Sequence, residues 1–399
     1  MNLYEFEGKN LLAKHGIKTP RGVVVRRGDD FVSKYNELVK LGIKDVVVKA
    51  QVLSGKRGKN NGIKFCDNGE EVKKACEELF TLNIRGQYVA AILIEEKLAI
   101  AEEHYISIVY DTNKKQPCLI YSKQGGMDIE DVAEEKIEKV WLDIREENVV
   151  GVETLHATSL PIDELWKLFL NEDTRQVEIN PLVKTKSGEW VAADAKIAID
   201  DDAFFRHPSA SSGPSVTDWT KFEPRTMLGR LPTSREIAVK KIDEGEKYYQ
   251  GTAGKYIELD GDIAMILNGG GASIANMDAL AQVGLKAANY TEYSGNPPRE
   301  KVAALARIVL SKPGLKGLWM CGVVANFTNI KETFLGICDA LDEIKPTYPI
   351  VVRRDGTESA AGFALLEECA KRNNLNIKMF KKETGMSATA QILAEMIEK

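Results

Sequence analysis

Histidine is scarce in this chain of 399 residues: there are four, His15, His104, His156 and His207. None lies in a Gly-rich loop or beside a Ser or Cys motif, so the usual nucleophile–base arrangements find no support. All four read as structural or surface residues. The six cysteines (Cys66, Cys76, Cys118, Cys321, Cys338, Cys369) are scattered, with no CxxC pair. That argues against a zinc site and fits a reducing, cytoplasmic setting. There is no basic excess either: the net charge of −5 gives no reason to expect a nucleic-acid partner. No apolar run approaches transmembrane length. The stretch "MNLYEFEGKNLLAKHG" has the pattern of an amphipathic helix and lacks the apolar core of a signal peptide, so no membrane partner is expected.

What is present is a globular composition, 44% hydrophobic and 28% charged, in a chain too long for one ordinary core. The clearest boundary falls between about residues 205 and 250, where "HPSASSGPS" and "KFEPRTMLGRLPTSRE" are rich in Pro, Ser and Gly. Ahead of it the pattern is mixed. Helix Leu3–His15 leads to strand Gly22–Val25, helix Gly28–Leu41, β runs Asp45–Lys49 and Ala90–Glu95, and a hairpin-like Tyr105–Tyr121. Beyond it, five strand-then-helix units follow in order, from Ile263–Leu267 with Ser273–Val283 to Asn376–Phe380 with Ala388–Ile397. Such a run predicts a doubly wound parallel sheet, in which ligands bind beyond the carboxyl ends of the strands.

Three stretches carry chemistry. In "VEINPLVKTKSGEWVAADAK" (177–196), Ser187-Gly188 turns a hairpin in which paired residue numbers sum to 374. Asn180 then faces Asp194 and Glu178 faces Lys196, on one face, while Val177, Ile179, Ala193 and Ile197 point the other way. Hard oxygen donors of that kind suit magnesium, which takes only one or two protein oxygens; an ordinary solvated hairpin is the competing reading. "VVVKAQVLSGKRGKNNGIKF" (46–65) is a strand ending near Lys49 and a Gly/Lys/Arg loop without the Walker A pattern. Lys49 and Arg57 could neutralise phosphate charge there, although a solvated charge run is the commoner explanation. In the carboxy-terminal half, "NGGGAS" (268–273), "TEYSGNPP" (291–298), "ANFTN" (325–329) and "RRDGTE" (353–358) fall at strand ends. Their backbone N–H groups, hydroxyls and two arginines favour a small polycarboxylate or phosphate.

Together, "KAQVLSGKRGKNNG", "ILIEEKLAIAEE", "QGGMDIEDVAEE" and "EINPLVKTKSGEWVAADAK" resemble the succinyl-CoA synthetase β-subunit superfamily, over nearly the whole chain. The resemblance implies an α/β chain with an ATP-grasp domain over residues 1–235 followed by a flavodoxin-like CoA-ligase domain over 250–399. By matching motif, Lys49, Lys56, Arg57, Gly58, Glu95, Leu98 and Glu103 would hold ATP, and Asn180 and Asp194 a magnesium ion. Glu178 would face a phosphohistidine brought by a partner. The second half departs from the succinate enzymes. Where they usually have "GGIV", a "VGGG"-like run and a single Arg, this chain has "ANFT", "TEYSGNP" and Arg353-Arg354. These departures resemble ATP-citrate lyase and citryl-CoA synthetase large subunits. That likeness implies citrate binding by Asn268, Ser294, Gly295, Asn326, Phe327, Thr328 and Arg354.

The extra donors match the extra carboxylate and hydroxyl of citrate; the competing reading leaves Arg354 on the surface. The implied reaction is ATP + citrate + CoA giving citryl-CoA, ADP and phosphate, through citryl phosphate. The chain shows neither the family's phosphorylated-histidine loop nor a Rossmann fingerprint for CoA. A smaller α-type subunit is therefore implied, in a hetero-oligomer. A succinyl-CoA or malate-CoA ligase β subunit, a nucleotide-sensing scaffold and a free-standing acyl-phosphate ligase stand as alternatives.

Overall fold

A computed structural model describes residues 1–55, 57–146, 148–149, 160–207, 217–223, 225–226, 230–244 and 250–398. Lys56, His156 and most of "HPSASSGPS" lie outside the described residues. The chain divides into two units, Met1–Leu231 and Pro232–Lys399.

In the first unit, α1 (Glu5–Lys14), β1 (Gly22–Val25), α2 (Phe31–Val39), β2 (Val46–Gln51), β3 (Ile63–Cys66) and α3 (Gly69–Thr81) come in that order. The short pair β4 (Asn83–Ile84) and β5 (Gln87–Tyr88) precedes β6 (Ala91–Glu96). A four-stranded antiparallel sheet in the order β1-β6-β2-β3 results. Asn68 caps α3 by accepting from Glu71 N, the expected use of a short amide at a helix start. The period of two along β2 sends Val46, Val48 and Ala50 into a core with Leu38, Val72, Cys76 and Leu79. Lys49 consequently points to the other face.

The second sheet uses β7 (Ile100–Asp111), β8 (Gln116–Ser122), β9 (Glu138–Trp141), β10 (Thr174–Thr185), β11 (Trp190–Ala192) and β12 (Lys196–Ile199), with α4 (Ile162–Asn171) before β10. Its order is β11-β10-β7-β8-β9, with β12 also on β10. The hairpin register is as expected: Leu182 pairs with Ala192 and Glu178 with Lys196, both sums being 374. Leu11 and Leu12 of α1 and Leu165, Trp166 and Phe169 of α4 pack on Val177, Ile179 and Ile197.

The second unit starts with α5 (Ser234–Lys240) and β13 (Thr252–Glu258). Helix α5 lies inside the stretch read as linker; its Thr233–Glu236 capping box is a helix start among residues that look like a spacer. Then come β14 (Ile263–Asn268), α6 (Gly270–Gln282), β15 (Asn289–Ser294), α7 (Arg299–Leu310), β16 (Gly317–Ala325) and α8 (Ile330–Ile344). Last are β17 (Ile350–Gly356), α9 (Ser359–Arg372), β18 (Ile377–Phe380) and α10 (Met386–Ile397). The five parallel strands stand in the order β15-β14-β16-β17-β18, the flavodoxin-like arrangement 2-1-3-4-5. β13 closes the β15 edge antiparallel. Every residue of β14 is buried, as a sheet covered on both faces requires.

Candidate functional site

The first unit holds a cleft of about 760 Å3, lined from both of its sheets. Glu178, Asn180, Asp194, Lys49, Arg57, Gly58, Glu95, Leu98 and Glu103 all line it. Six charged side chains meet in it. Lys49 Nζ donates to Glu5 Oε1 at 3.0 Å and Ala193 O at 2.7 Å, and lies 2.6 Å from Glu95 Oε1. Lys9 Nζ sits 2.8 Å from Glu5 Oε1 and 2.6 Å from Glu95 Oε2. Arg57 Nη2 donates to both oxygens of Asp194, at 2.7 and 2.6 Å, while its Nη1 reaches Glu5 Oε2.

Burial alone would drive these groups neutral. It pushes the Glu5 carboxyl up, but Arg57, Lys49 and Lys9 outweigh it and hold that acid well below its usual range. It pulls the Lys49 ammonium down, but Glu5, Glu95 and Asp194 more than restore it. All stay charged.

The placements refine the expectations. Glu95 has both oxygens on lysines, so it organises the cations of the cleft. Arg57 is buried, not on a solvated loop. Asn180 Oδ1 accepts from Gly126 N at 2.8 Å and its Nδ2 donates to Met127 O at 2.9 Å, which ties it to the loop that also abuts Glu103. β10 pairs with β12 as far as Glu178–Lys196 and with β11 from Leu182–Ala192, and between these stretches Asp194 is turned to Arg57. Ala193, expected on the apolar face, borders the cleft. Glu178 accepts from Gln176 Nε2 at 2.9 Å and stands 3.6 Å from Lys196 Nζ. Among the described residues no cluster of three His, Cys, Asp or Glu is poised for a metal. An ion that keeps its waters and phosphate oxygens needs no such cluster, and the carboxylate of Asp194 with the amide oxygen of Asn180 is a donor set that fits magnesium.

Glu5 and Lys9 went unrecognised in the sequence. The available signal was their i,i+4 spacing on a helix whose neighbouring positions Gly8 and Leu12 are buried.

In the second unit the predicted residues gather at the carboxyl ends of β14, β15, β16 and β17. Arg354 is 1% exposed, so the surface reading is wrong. Its Nη1 donates to Asn268 Oδ1 at 2.8 Å and Val323 O at 3.1 Å. Nε and Nη2 have no hydrogen-bond partner among the described residues, and no carboxylate among them pairs with it. Arg353, on the opposite face of β17, binds Gly322 O at 2.7 Å and Thr384 O at 3.0 Å: it is spent on backbone. Thr328 Oγ1 donates to Gly295 O, and Ser294 Oγ lies 3.1 Å from Thr252 Oγ1. Asn326 is exposed, and Phe327, 68% exposed, borders a hollow of about 570 Å3 together with Gly295.

Residues 2–184 match the family model of an ATP-grasp domain, and residues 230–396 the model described as ATP citrate lyase citrate-binding. The β subunit of ADP-forming succinate–CoA ligase from Methanocaldococcus jannaschii is 37% identical over 383 residues, 92% of this chain and 94% of its own. The same subunit from Desulfurococcus amylolyticus is 34% identical over 384 residues, with the same coverage. Among solved structures, the ATP citrate lyase of Methanothrix soehngenii in complex with citrate and coenzyme A superposes with a TM-score of 0.73 at 25% identity, covering 99% of each chain.

Proposed function

The chain belongs to the family of ADP-forming succinate–CoA ligase β subunits, and within it we propose a member that activates citrate. It forms citryl-CoA, ADP and phosphate from citrate, CoA and ATP. One observation carries the choice of acid: Arg354 is a buried guanidinium with no carboxylate partner among the described residues. A buried cation left without a counter-ion is costly, and a ligand carboxylate would supply the missing charge. Asn268 orients Arg354 through the 2.8 Å bond. The hydroxyl of Ser294 and the amide of Asn326 stand near neighbouring strand ends as donors for the further carboxylates, and Thr328, its hydroxyl donated to Gly295 O, ties two of these loops together. The citrate-binding family model over residues 230–396 supports this reading. The identity of 37% to a succinate–CoA ligase β subunit favours succinate as the second reading.

In the nucleotide cleft, Lys49 and Arg57 neutralise phosphate charge, while the apolar side chains of Val47, Phe65 and Leu98 receive the base. Magnesium, held by Asp194 and Asn180, would supply charge neutralisation at the transferring phosphoryl group. Glu178 orients the imidazole that takes that group. His15, His104 and His207 are each committed to a carboxylate, of Glu172, Glu102 and Asp173 respectively. His156 lies outside the described residues; we assign the accepting histidine and the CoA site to an α-type partner subunit, a reading supported by the likeness to succinate–CoA ligase β subunits. The six thiols are free and buried, and no helix among the described residues is long and apolar enough to cross a membrane; both suit a cytoplasmic enzyme.

Calorimetric titration of the purified chain with citrate, succinate and malate tests the assignment. Citrate binding at least about tenfold tighter than either dicarboxylate is expected, the discrimination that unpaired polar groups impose. Preferred binding of succinate or malate would return the chain to the dicarboxylate ligases.

A further inference from the structure

We propose that Glu5 is a positioning residue of the nucleotide site, its carboxylate holding Lys49 and Arg57 aimed at the phosphates. This rests on the reading of the first unit's cleft as an ATP site and is independent of which acid is activated.

Of the three acids paired with Lys9, Lys49 and Arg57, Glu95 is bonded to Lys9 and Lys49, and Asp194 to Arg57. Glu5 alone among them touches Lys9, Lys49 and Arg57 together. It is also the best anchored. It opens α1, where the helix dipole favours an anion, and its side chain is 2% exposed against 32% for Asp194. Gln51 fixes the turn: its Oε1 accepts from Phe6 N at 3.2 Å and its Nε2 donates to Glu5 Oε2 at 3.2 Å. Asp194 is the exposed acid and the one suited to a metal. Were Asp194 to hold that ion instead of Arg57, Glu5 would still hold the Arg57 Nη1 and keep the guanidinium from swinging into solvent. Preorganised charge of this kind acts on the transition state, because no reorientation is needed as negative charge moves.

The charge balance separates this role from its rivals. Lys9, Lys49 and Arg57 balance Glu5, Glu95 and Asp194, so Glu5→Gln leaves this cluster one unit more positive. Charge alone would then tighten nucleotide binding and leave turnover intact. Loss of aim instead slows turnover without weakening binding.

The test uses the full-length chain, titrated with Mg·ATP by calorimetry and assayed with its α-type partner for ADP formation. Glu5→Gln is expected to lower kcat by about 30- to 100-fold, the scale of a misplaced catalytic group, with the KM for ATP and the Mg·ATP Kd within about threefold. Glu5→Asp should recover part of kcat. Glu7→Gln, whose carboxylate instead holds Arg225 at 2.6 Å, should lower Tm and leave kcat within about twofold. Unchanged kcat in Glu5→Gln, with or without tighter binding, overturns the proposal, as does an equal loss of kcat in Glu7→Gln. Should Glu5→Gln fail to fold, Gln51→Met removes the bond that turns Glu5 and should cost about three- to tenfold in kcat at constant Kd; no loss would overturn the role. A wrong acyl substrate would show as turnover with another acid and the same Glu5 effect. A wrong nucleotide reading would show as no Mg·ATP binding by the unaltered chain.

Discussion

Arg354 Nη1 and Asn268 Oδ1 meet at 2.8 Å across 86 residues of sequence, a charged donor on a neutral acceptor inside a buried sheet edge. An amide oxygen orients a guanidinium but does not neutralise it. Two of the three side-chain nitrogens stay without a partner among the described residues. The apo protein therefore carries an electrostatic cost that an anionic ligand would offset.

Arg354→Met should separate stability from binding. Removing a buried charge that no carboxylate among the described residues neutralises is expected to raise Tm by about 2–4 °C. Citrate affinity should fall by about 100-fold, the usual scale for losing a buried charged contact. Thermal unfolding and calorimetry on the same preparation check both. A lower Tm with citrate binding retained would mean that Arg354 serves packing.

Gly322→Ala attacks the same group by volume. A Cβ there would stand 2.6 Å from Arg354 Nη1 and 2.8 Å from the Asn268 Cβ, so one of them must move. Citrate affinity should drop by about tenfold or more while Mg·ATP binding stays as it was. Equal loss of both affinities would point to global damage.

Asp194→Asn keeps the shape but halves the grip on Arg57 and weakens the proposed metal donor set. ATP binding in the presence of magnesium should weaken by about 10- to 100-fold, and binding of ATP with chelator present should change little. An equal effect with and without the ion would locate the metal away from Asp194.

Glu172 gives a pH test. Burial pushes its carboxyl up, but hydrogen bonds from His15 and Thr217 outweigh this and hold it below the ordinary range. A depressed folded pKa stabilises the fold above the unfolded value of about 4.5 and loses that contribution as pH falls through the folded one. Glu172→Gln should thus unfold at lower temperature than the natural chain at pH 7. The gap should close as pH drops below about 4.5. A gap that is constant with pH would remove the charge from the explanation.

How much was legible can be argued from particular residues. The hairpin register followed from Ser187-Gly188 and the period of two, because both are local. The alternation of β17 already places Arg353 and Arg354 on opposite faces. Which of them keeps unpartnered nitrogens among the described residues depends on Gly322, Thr384 and Asn268, which are remote in sequence. Glu5 and Lys9 looked like ordinary charges on an amphipathic helix, since nothing within α1 announces that Lys49 and Arg57 arrive from other elements. Helix α5 and strand β13 were hidden by linker-like composition and mixed polarity.

Short-range chemistry therefore determined, from sequence alone, the two-part α/β organisation, the order of strands and helices from β14 onward, and the loops that carry donors. Those features depend on periodicity, turn residues and caps, which act over a few residues. Only the tertiary structure decided which charges are buried together and which are spent on backbone. It also decided that Arg354, and not Arg353, keeps two side-chain nitrogens without a hydrogen-bond partner among the described residues. That outcome depends on desolvation and on partners brought from distant strands.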